Sequence, residues 1–156
     1  MELILKIGVW YNETKLMETD EMKKTFIFVM ALLVLSACAK PRIDIEGEWK
    51  LVSYGNPSNP MSAILDVDTT VNFDSKGKVG GTLGCNSFGG DYHLKGNNIN
   101  FGPMISTMMF CELTSVQEQN VLSLLSDGID LKIEINGNLL TIASGDGLSV
   151  VNLERK

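Results

Sequence analysis

Three cysteines and a single histidine are the side chains most able to do chemistry in this 156-residue chain. Cys85 and Cys111 could form a disulfide, remain buried free thiols, or bind a metal ion together with His93. A zinc site needs four ligands at recognisable spacing, and one histidine with two distant cysteines does not supply them. We therefore expect no metal ion and no other cofactor.

Asp91 and His93 are the strongest candidates for catalysis. They lie two residues apart, so both would sit on the same face of a strand, where they could act as an acid–base pair. No serine or cysteine nucleophile stands out beside them. We therefore expect a non-catalytic protein and keep a weak hydrolase that uses Asp91 and His93 as an alternative.

Cys38 follows a segment with the features of a bacterial secretory signal. The basic pair Lys23-Lys24 precedes an apolar run from Phe26 to Leu35, which is shorter than the roughly 20 apolar residues that span a bilayer. Leu35-Ser36-Ala37-Cys38 resembles the lipobox of bacterial lipoproteins, in which the cysteine thiol accepts diacylglycerol and the chain is cut before it. The sequence therefore predicts a lipoprotein signal peptide over 22–37 and lipidation of Cys38.

The residues on either side of this signal refine the prediction. Residues 1–21 carry a net charge of −3, which opposes the usual orientation of a signal, so we expect an over-extended start and translation from Met22. The residue after the cysteine is Ala39 and not Asp, a pattern that implies export to the outer membrane in enterobacterial lipoproteins. We expect an outer-membrane lipoprotein of the cell envelope, with a tether over 38–46 and a domain over 47–156.

Composition limits the partners. The formal net charge is −6, with 44% hydrophobic and 21% charged residues, which suits one globular domain. Nucleic-acid binding requires a basic face that neutralises phosphates, and none is visible. We expect a monomer that contacts the membrane through its N-terminal lipid and binds no nucleic acid.

Alternating apolar residues predict a mostly β domain. Trp49 and Leu51 would point inward in a first strand, as the period of two requires. Turn residues at Lys95-Gly96-Asn97-Asn98 and Asn136-Gly137 predict two hairpins, the second with a type I′ turn. About eight short strands and one helix predict a mainly β (α+β) fold, either a small antiparallel barrel or a strongly curled sheet.

The helix is predicted after Thr114, which would cap it in a capping box with Gln117. Gly128 is a fitting stop, and we expect the helix to seal one opening of the barrel. Met104, Met108 and Met109 are expected to fill the core.

A glycine-rich motif occupies the centre of the chain. Its residues are Gly84, Cys85, Asn86, Phe88, Gly90 and Tyr92, followed by Thr107 and Cys111. The pattern resembles the META/HslJ domain family over roughly Gly47 to Lys156. That resemblance implies a mostly β, barrel-like fold in secreted or envelope proteins and a loose link to novobiocin tolerance and stress, with no agreed catalytic residues.

The motif also has a direct physical interpretation. Glycines allow tight corners and close backbone approach, and Asn86 is suited to bond its own backbone in a corner. We therefore favour a role in corners and core over a binding site. If the signal is correct, Cys85 and Cys111 lie in an oxidising compartment, which favours the disulfide over the two alternatives.

The resulting functional prediction is a lipid-anchored envelope protein with a non-catalytic binding or stress-tolerance module. Its partner could be another envelope protein or a small apolar ligand carried in the barrel. A ligand carrier needs an apolar cavity of about 300 Å³ or more, whereas an interaction module needs an exposed apolar patch. These two features distinguish the alternatives.

Overall fold

The computed structural model describes residues 23–25, 28, 43–126 and 128–156. The chain divides into two units, residues 1–41 and 42–156. In the first unit, residues 23–25 and 28 are helical; over all described residues, no helix is both long and apolar enough to cross a membrane. Cys38, the over-extended start and most of the predicted signal peptide lie outside the described residues.

The second unit contains ten strands and one helix among its described residues. The strands are β1 (Gly47–Gly55), β2 (Met61–Ser62), β3 (Thr70–Phe73), β4 (Lys78–Thr82), β5 (Ser87–Lys95), β6 (Asn98–Phe101), β7 (Ile105–Ser106), β8 (Leu131–Asn136), β9 (Leu139–Ser144) and β10 (Val150–Arg155). The helix, α1, is Ser115–Leu124.

Eight strands close into an antiparallel barrel. Their order is β1-β3-β4-β5-β6-β8-β9-β10, and β10 pairs with β1 to complete the ring. β2 pairs beside β1, and β7 pairs beside β5. The predicted mainly β barrel of about eight strands is therefore confirmed.

Strand alternation directs the core residues inward, with one shift. Trp49 and Leu51 are 0% and 2% exposed, as the sequence pattern predicts. The pairing of β1 with β10 is irregular between Leu51 and Ser53. This bulge changes which residues face inward, so that Tyr54 enters the core and Ser53 does not.

Apolar side chains fill the barrel interior. The largest fully buried apolar residues are Trp49, Phe73, Ile45, Leu51, Leu83, Ile99, Leu125, Leu131, Leu140, Ile142 and Leu153. They come from six of the eight wall strands, from residues next to β1 and β4, and from the C-cap of α1. The interior is thus a packed core, as in other small barrels.

Residues 43–46, predicted as part of the tether, pack on the domain. Ile45 is buried, and the indole N–H of Trp49 donates a 2.8 Å hydrogen bond to its carbonyl. The guanidinium of Arg155 donates to the carbonyls of Glu46 and Asp44 and lies 4.4 Å from the centre of the Trp49 ring. The folded domain therefore begins before Gly47.

The turn at Asn136-Gly137 differs from the expected type I′ geometry. Asn136 pairs with Leu139, so the two central residues of that turn are Gly137 and Asn138. Gly137 has φ +62°, and among the described non-glycine residues only Asp66 has positive φ. A turn with positive φ at its first central residue alone is of the II′ kind, as is the turn at Gly96.

The capping-box prediction for α1 is wrong. Thr114 precedes the helix but makes no side-chain capping bond. The fully buried Gln117 side chain donates to the carbonyl of Leu83 at 2.7 Å and accepts from the N–H of Ile64 at 2.9 Å. Because these loop groups are buried, they need partners, and Gln117 supplies them rather than turning back to its own helix.

The barrel has two ends with different loops. The tether end carries residues 43–46, the turns at 74–77, 96–97 and 137–138, and the C-terminus, since Gly47 pairs with Phe73 and Arg155 pairs with Trp49. The opposite end, called the distal end here, carries loops 55–69, 83–86, 102–114 and 145–149. Helix α1 follows the third of these loops and contacts β1 and β10.

Candidate interaction surface at the distal end

Asn86 lies in the turn between β4 and β5 and joins three segments of the distal end. Its amide nitrogen donates to Oε2 of Glu118 at 2.6 Å and to the carbonyl of Met109 at 2.9 Å. Its amide oxygen accepts from the hydroxyl of Thr107 and from the N–H of Met109, both at 2.8 Å. All four hydrogen-bonding positions of the amide are used, so the backbone is held on both sides of Met108.

Glu118 is a buried carboxylate on α1, only 6% exposed. Its Oε1 accepts from the N–H of Cys85 at 2.7 Å and from the N–H of Asn86 at 2.9 Å. Burial raises the pKa of Glu118, but the bonds from the Asn86 side chain and from both N–H groups outweigh it, so the pKa lies below its ordinary value. The Thr114 hydroxyl does not reach a hydrogen-bonded geometry with the same carboxylate, but its proximity lowers the pKa of Glu118 further.

Cys85 and Cys111 form a disulfide, with 6.3 Å between their Cα atoms. Neither sulfur is then a thiolate that could bind zinc, which removes the metal alternative that included His93. Within the described part of the chain, no group of three or more His, Cys, Asp or Glu is placed to hold a metal ion. The disulfide joins the β4–β5 turn to Cys111, which directly follows Met109 and Phe110.

Two motif glycines allow close approach of other segments. Gly84 has φ +128°, and a Cβ there would lie 2.6 Å from Cγ2 of Thr114 and 2.8 Å from Cγ1 of Val67. A Cβ at Gly90 would lie 3.1 Å from the carbonyl oxygen of Pro103 and would collide with the sulfur of Met104. Gly84 thus leaves room for the start of the helix, and Gly90 for the segment that crosses β5.

The other motif residues belong to the core or the corner. Phe88 and Tyr92 are buried, and the Tyr92 ring stands edge-on to Phe73 at 5.1 Å between centroids. The Tyr92 hydroxyl donates to the carbonyl of Asp74 at 2.8 Å. Thr107, besides donating to Asn86, accepts from the N–H of Ser87 at 3.1 Å. The motif positions the segment after β7.

Residues 105–116, which run from β7 into α1, expose six large apolar side chains, called the distal surface here. Its members, with their exposed fractions, are Ile105 (79%), Met108 (95%), Met109 (59%), Phe110 (87%), Leu113 (69%) and Val116 (55%). The prediction that Met108 and Met109 lie in the core is therefore wrong; Met104 does pack against it. The bonds of Asn86 and the disulfide hold residues 107–111 outside the barrel wall, where these side chains cannot be buried.

The residues predicted as an acid–base pair have different surroundings. The carboxylate of Asp91 forms an ion pair with the ammonium of Lys78, and both side chains are more than half exposed. The hydrogen bond and the charge of Asp91 raise the pKa of Lys78. His93 instead lines a cleft of about 390 Å³ at the tether end, together with residues 43–46. Asp91 is thus engaged by Lys78 rather than by the histidine.

Comparison with known families agrees with this arrangement. The sequence profile of the META domain matches residues 42–156. The chain belongs to the META domain family. No match was found among curated proteins.

Two solved structures share the fold of this META domain. One is the NMR structure of a protein from Burkholderia xenovorans, 18% identical, with a TM-score of 0.58, covering 77% of this chain and 93% of that one. The other is the 1.00 Å crystal structure of a DUF4847 family protein from Bacteroides vulgatus ATCC 8482. It is 12% identical, with a TM-score of 0.52, and covers 71% of this chain and 93% of that one.

Sequence reasoning missed Glu118 and gave Gln117 the wrong role, that of a capping residue. Both are buried on α1; Glu118 bonds Cys85 and Asn86 of the motif, and Gln117 bonds Leu83, which precedes it. A signal was present, since Glu118 precedes Val121 by three residues and Leu125 by seven, and these spacings share one helix face. A carboxylate on the apolar face of a helix indicates a buried partner.

Proposed function

We propose that this chain is a lipid-anchored cell-envelope protein whose META domain is a non-catalytic binding module. Cys38 would carry the lipid, and the distal surface would bind another envelope protein. The observation that supports this most strongly is the exposure of Met108 and Phe110, 95% and 87%, on a segment held at both ends. Soluble domains rarely keep such a cluster exposed without a partner.

The fixed backbone of the loop favours binding. Asn86 holds Met109, and the disulfide holds Cys111, so the intervening backbone is ordered before any partner arrives. Ordering a loop upon binding reduces affinity, and a preorganised loop avoids that loss. Aromatic side chains often dominate binding energies, and methionines adapt to irregular surfaces, which suits a surface built from Phe110, Met108 and Met109.

The position of the tether favours a protein partner over the anchoring membrane. Because residues 43–46 pack at the tether end, at most residues 38–42 would separate the domain from the lipid. Five extended residues span roughly 17 Å. The membrane would therefore lie near the tether end, and the distal surface would face away from it.

The packing of the barrel favours an interaction module over a ligand carrier. The space along the axis is occupied by buried side chains such as Trp49, Phe73 and Leu140. A carrier would need about 300 Å³ of apolar cavity, whereas the cleft beside His93 opens at the surface between polar groups. A barrel that carries a small apolar ligand remains the second candidate.

Lipid anchoring is tested with labelled palmitate in growing cells. The wild-type chain should incorporate the label and fractionate with the outer membrane. The Cys38→Ser variant should not incorporate it. A wild-type chain that stays unlabelled and soluble would contradict the anchoring.

Protein binding is tested by photo-crosslinking in intact cells. A photoreactive amino acid at Met108 should give a discrete protein adduct, and the same probe at Leu139, an apolar residue 38% exposed at the tether end, should not. Adding Phe110→Ser should abolish the adduct. Equal labelling from both positions, or none from Met108, would refute binding at the distal surface.

The stress-tolerance role is proposed to depend on the same surface. A strain that lacks the protein should grow more poorly under novobiocin or heat stress. The wild-type gene should restore growth, and the Met108→Ser/Phe110→Ser variant, at equal protein level, should not. Full restoration by that variant would separate the stress role from the distal surface.

A further inference from the structure

The distribution of charge in the barrel is uneven from end to end. Lysine and arginine are absent from residues 55–69, 83–86, 102–131 and 145–149, which form the distal loops, α1 and the link from α1 to β8. Exposed acidic residues on these loops include Asp66, Glu112 and Asp146. Asp68, on the same loop as Asp66, lies 3.8 Å from the ammonium of Lys156, and Asp130 shares a surface cleft with Lys95 and Lys132. The distal end therefore combines an apolar surface with negative charge.

Most basic side chains lie toward the other end, and Lys132, at the start of β8 beside Asp130, is an exception. Lys76 and Lys78 belong to the turn before β4 and the start of that strand, and Lys95 ends β5. Arg155 and Lys156 are at the C-terminus, next to β1. Three of these side chains have anionic or carbonyl partners: Lys78 pairs with Asp91, Lys156 with Glu48, and Arg155 donates to the carbonyls of Glu46 and Asp44.

From this we propose that the partner of the distal surface presents an apolar segment flanked by lysine or arginine. The inference rests on the proposed function and specifies the chemistry of its partner. Glu112 lies between Phe110 and Leu113. It is exposed and is the one charged residue in 105–116, so this segment carries negative charge. Asp66 follows Leu65, which is 86% exposed in the loop that Gln117 holds against α1.

Complementary charge and apolar contact would act together at this site. Charges around an apolar patch select partners and accelerate their encounter, because like charges repel. Glu112 and Asp66 would repel a segment flanked by acidic residues. They would also repel an anionic lipid headgroup, because such headgroups are attracted by lysine and arginine. A cationic amphipathic helix meets both requirements, since it offers an apolar face and positive flanks.

The lipidated full chain in phosphatidylcholine nanodiscs can be tested with synthetic peptides. The probe is a fluorescein-labelled amphipathic helix of leucine and lysine, compared with the same helix carrying glutamate in place of lysine. Fluorescence anisotropy should show saturable binding of the lysine peptide to the protein, at least about tenfold tighter than the glutamate peptide. Empty nanodiscs give the background for both peptides.

Matched variants assign the binding to the distal end. Asp66→Asn/Glu112→Gln should weaken binding of the lysine peptide about threefold or more, and Phe110→Ser should weaken it further. Glu134→Gln/Glu154→Gln removes the same charge from exposed residues near the tether end and should leave the affinity unchanged. Equal effects of the two charge variants would overturn the proposal.

Two further outcomes separate this inference from the proposed function. If neither peptide binds, or both bind equally, while the Met108 crosslink to a protein persists, the partner chemistry is wrong and the binding module stands. If the Met108 probe labels lipid, and phosphatidylglycerol vesicles bind the chain through Phe110, the distal surface binds a membrane and the inference is overturned.

Discussion

The side-chain amide of Asn86 donates a 2.6 Å hydrogen bond to the carboxylate of Glu118, 32 residues further along the chain. The same carboxylate accepts the N–H of Asn86 through its other oxygen. The β4–β5 turn is therefore fastened to α1 by a two-point contact. Because Asn86 also bonds Thr107 and Met109, the turn, the helix and the exposed loop form one structural unit.

Removing the Asn86 amide should destabilise this unit. In Asn86→Ala, the Glu118 carboxylate and the backbone of Met109 lose buried partners, and each such loss costs about 1–3 kcal/mol. We expect the free energy of unfolding in urea to fall by about 2–4 kcal/mol. Asn100→Ala, at an exposed position of β6, is the control and should change it by less than about 0.5 kcal/mol. Similar losses in both variants would contradict the role assigned to Asn86.

The ionised form of Glu118 should stabilise the fold. In Glu118→Gln, one carboxylate oxygen becomes an NH₂ group, which would place a donor against the donating amide of Asn86. We expect a loss of about 1–3 kcal/mol near neutral pH, measured by urea denaturation. Glu112→Gln, which removes an exposed carboxylate six residues away, should have little effect.

The stabilities of the wild-type protein and of Glu118→Gln should depend differently on pH. The folded-state pKa of Glu118 lies below its ordinary value of 4.5, so its stabilisation is fully present above that value. It is lost as the pH falls through the lower folded-state pKa. The wild-type protein should therefore lose more stability than Glu118→Gln between about pH 5 and pH 3. Parallel pH profiles for the two proteins would show that Glu118 contributes no such linkage.

The disulfide should stabilise the domain and order the loop. Its sequence separation of 26 residues corresponds to about 3–4 kcal/mol in the chain-entropy account. Cys85→Ala/Cys111→Ala should lower the free energy of unfolding by about that amount and speed amide exchange in residues 108–113. Amides of β9 should exchange more slowly than that loop in both proteins. Unchanged exchange in the loop would mean that Asn86 alone holds it.

Gly90 should be intolerant of a side chain. In Gly90→Ala, the new methyl group would meet Met104 and the carbonyl of Pro103, and such overpacking costs about 1–3 kcal/mol. Gly89→Ala is the matched control, because its nearest atom would lie 3.7 Å away, an ordinary contact distance. Thermal unfolding of both variants compares them directly, and a Gly89→Ala variant that is the less stable would refute the explanation.

The barrel was predictable because its signals are local. Alternation identified Trp49 and Leu51 as inward residues, and turn residues located both hairpins. The details that failed depend on neighbours distant in sequence. The bulge after Leu51 arises from pairing with β10, and Gln117 bonds Leu83 and Ile64 rather than its own helix.

The candidate site was predictable only in part. The motif pointed to Asn86 as a corner residue, and Asn86 does lie in the β4–β5 turn. The prediction that its side chain bonds its own backbone is wrong, because that side chain bonds Glu118, Thr107 and Met109. Apolar character alone placed Met108 and Met109 in the core, because composition does not distinguish an apolar residue that is buried from one displayed on a loop. The polar bonds that hold this loop outside the barrel come from residues more than 20 positions away.

Closure of the ring by β1 and β10 has a practical consequence for experiments on this protein. The N–H of Lys156 donates to the carbonyl of Glu48, so the last residue of the chain lies beside the first strand. An affinity tag or fluorescent protein fused after Lys156 would emerge at the tether end of the barrel. Such a fusion leaves Phe110 and its neighbours unobstructed, whereas a reporter inserted at loop 55–60 would extend from the end that carries them.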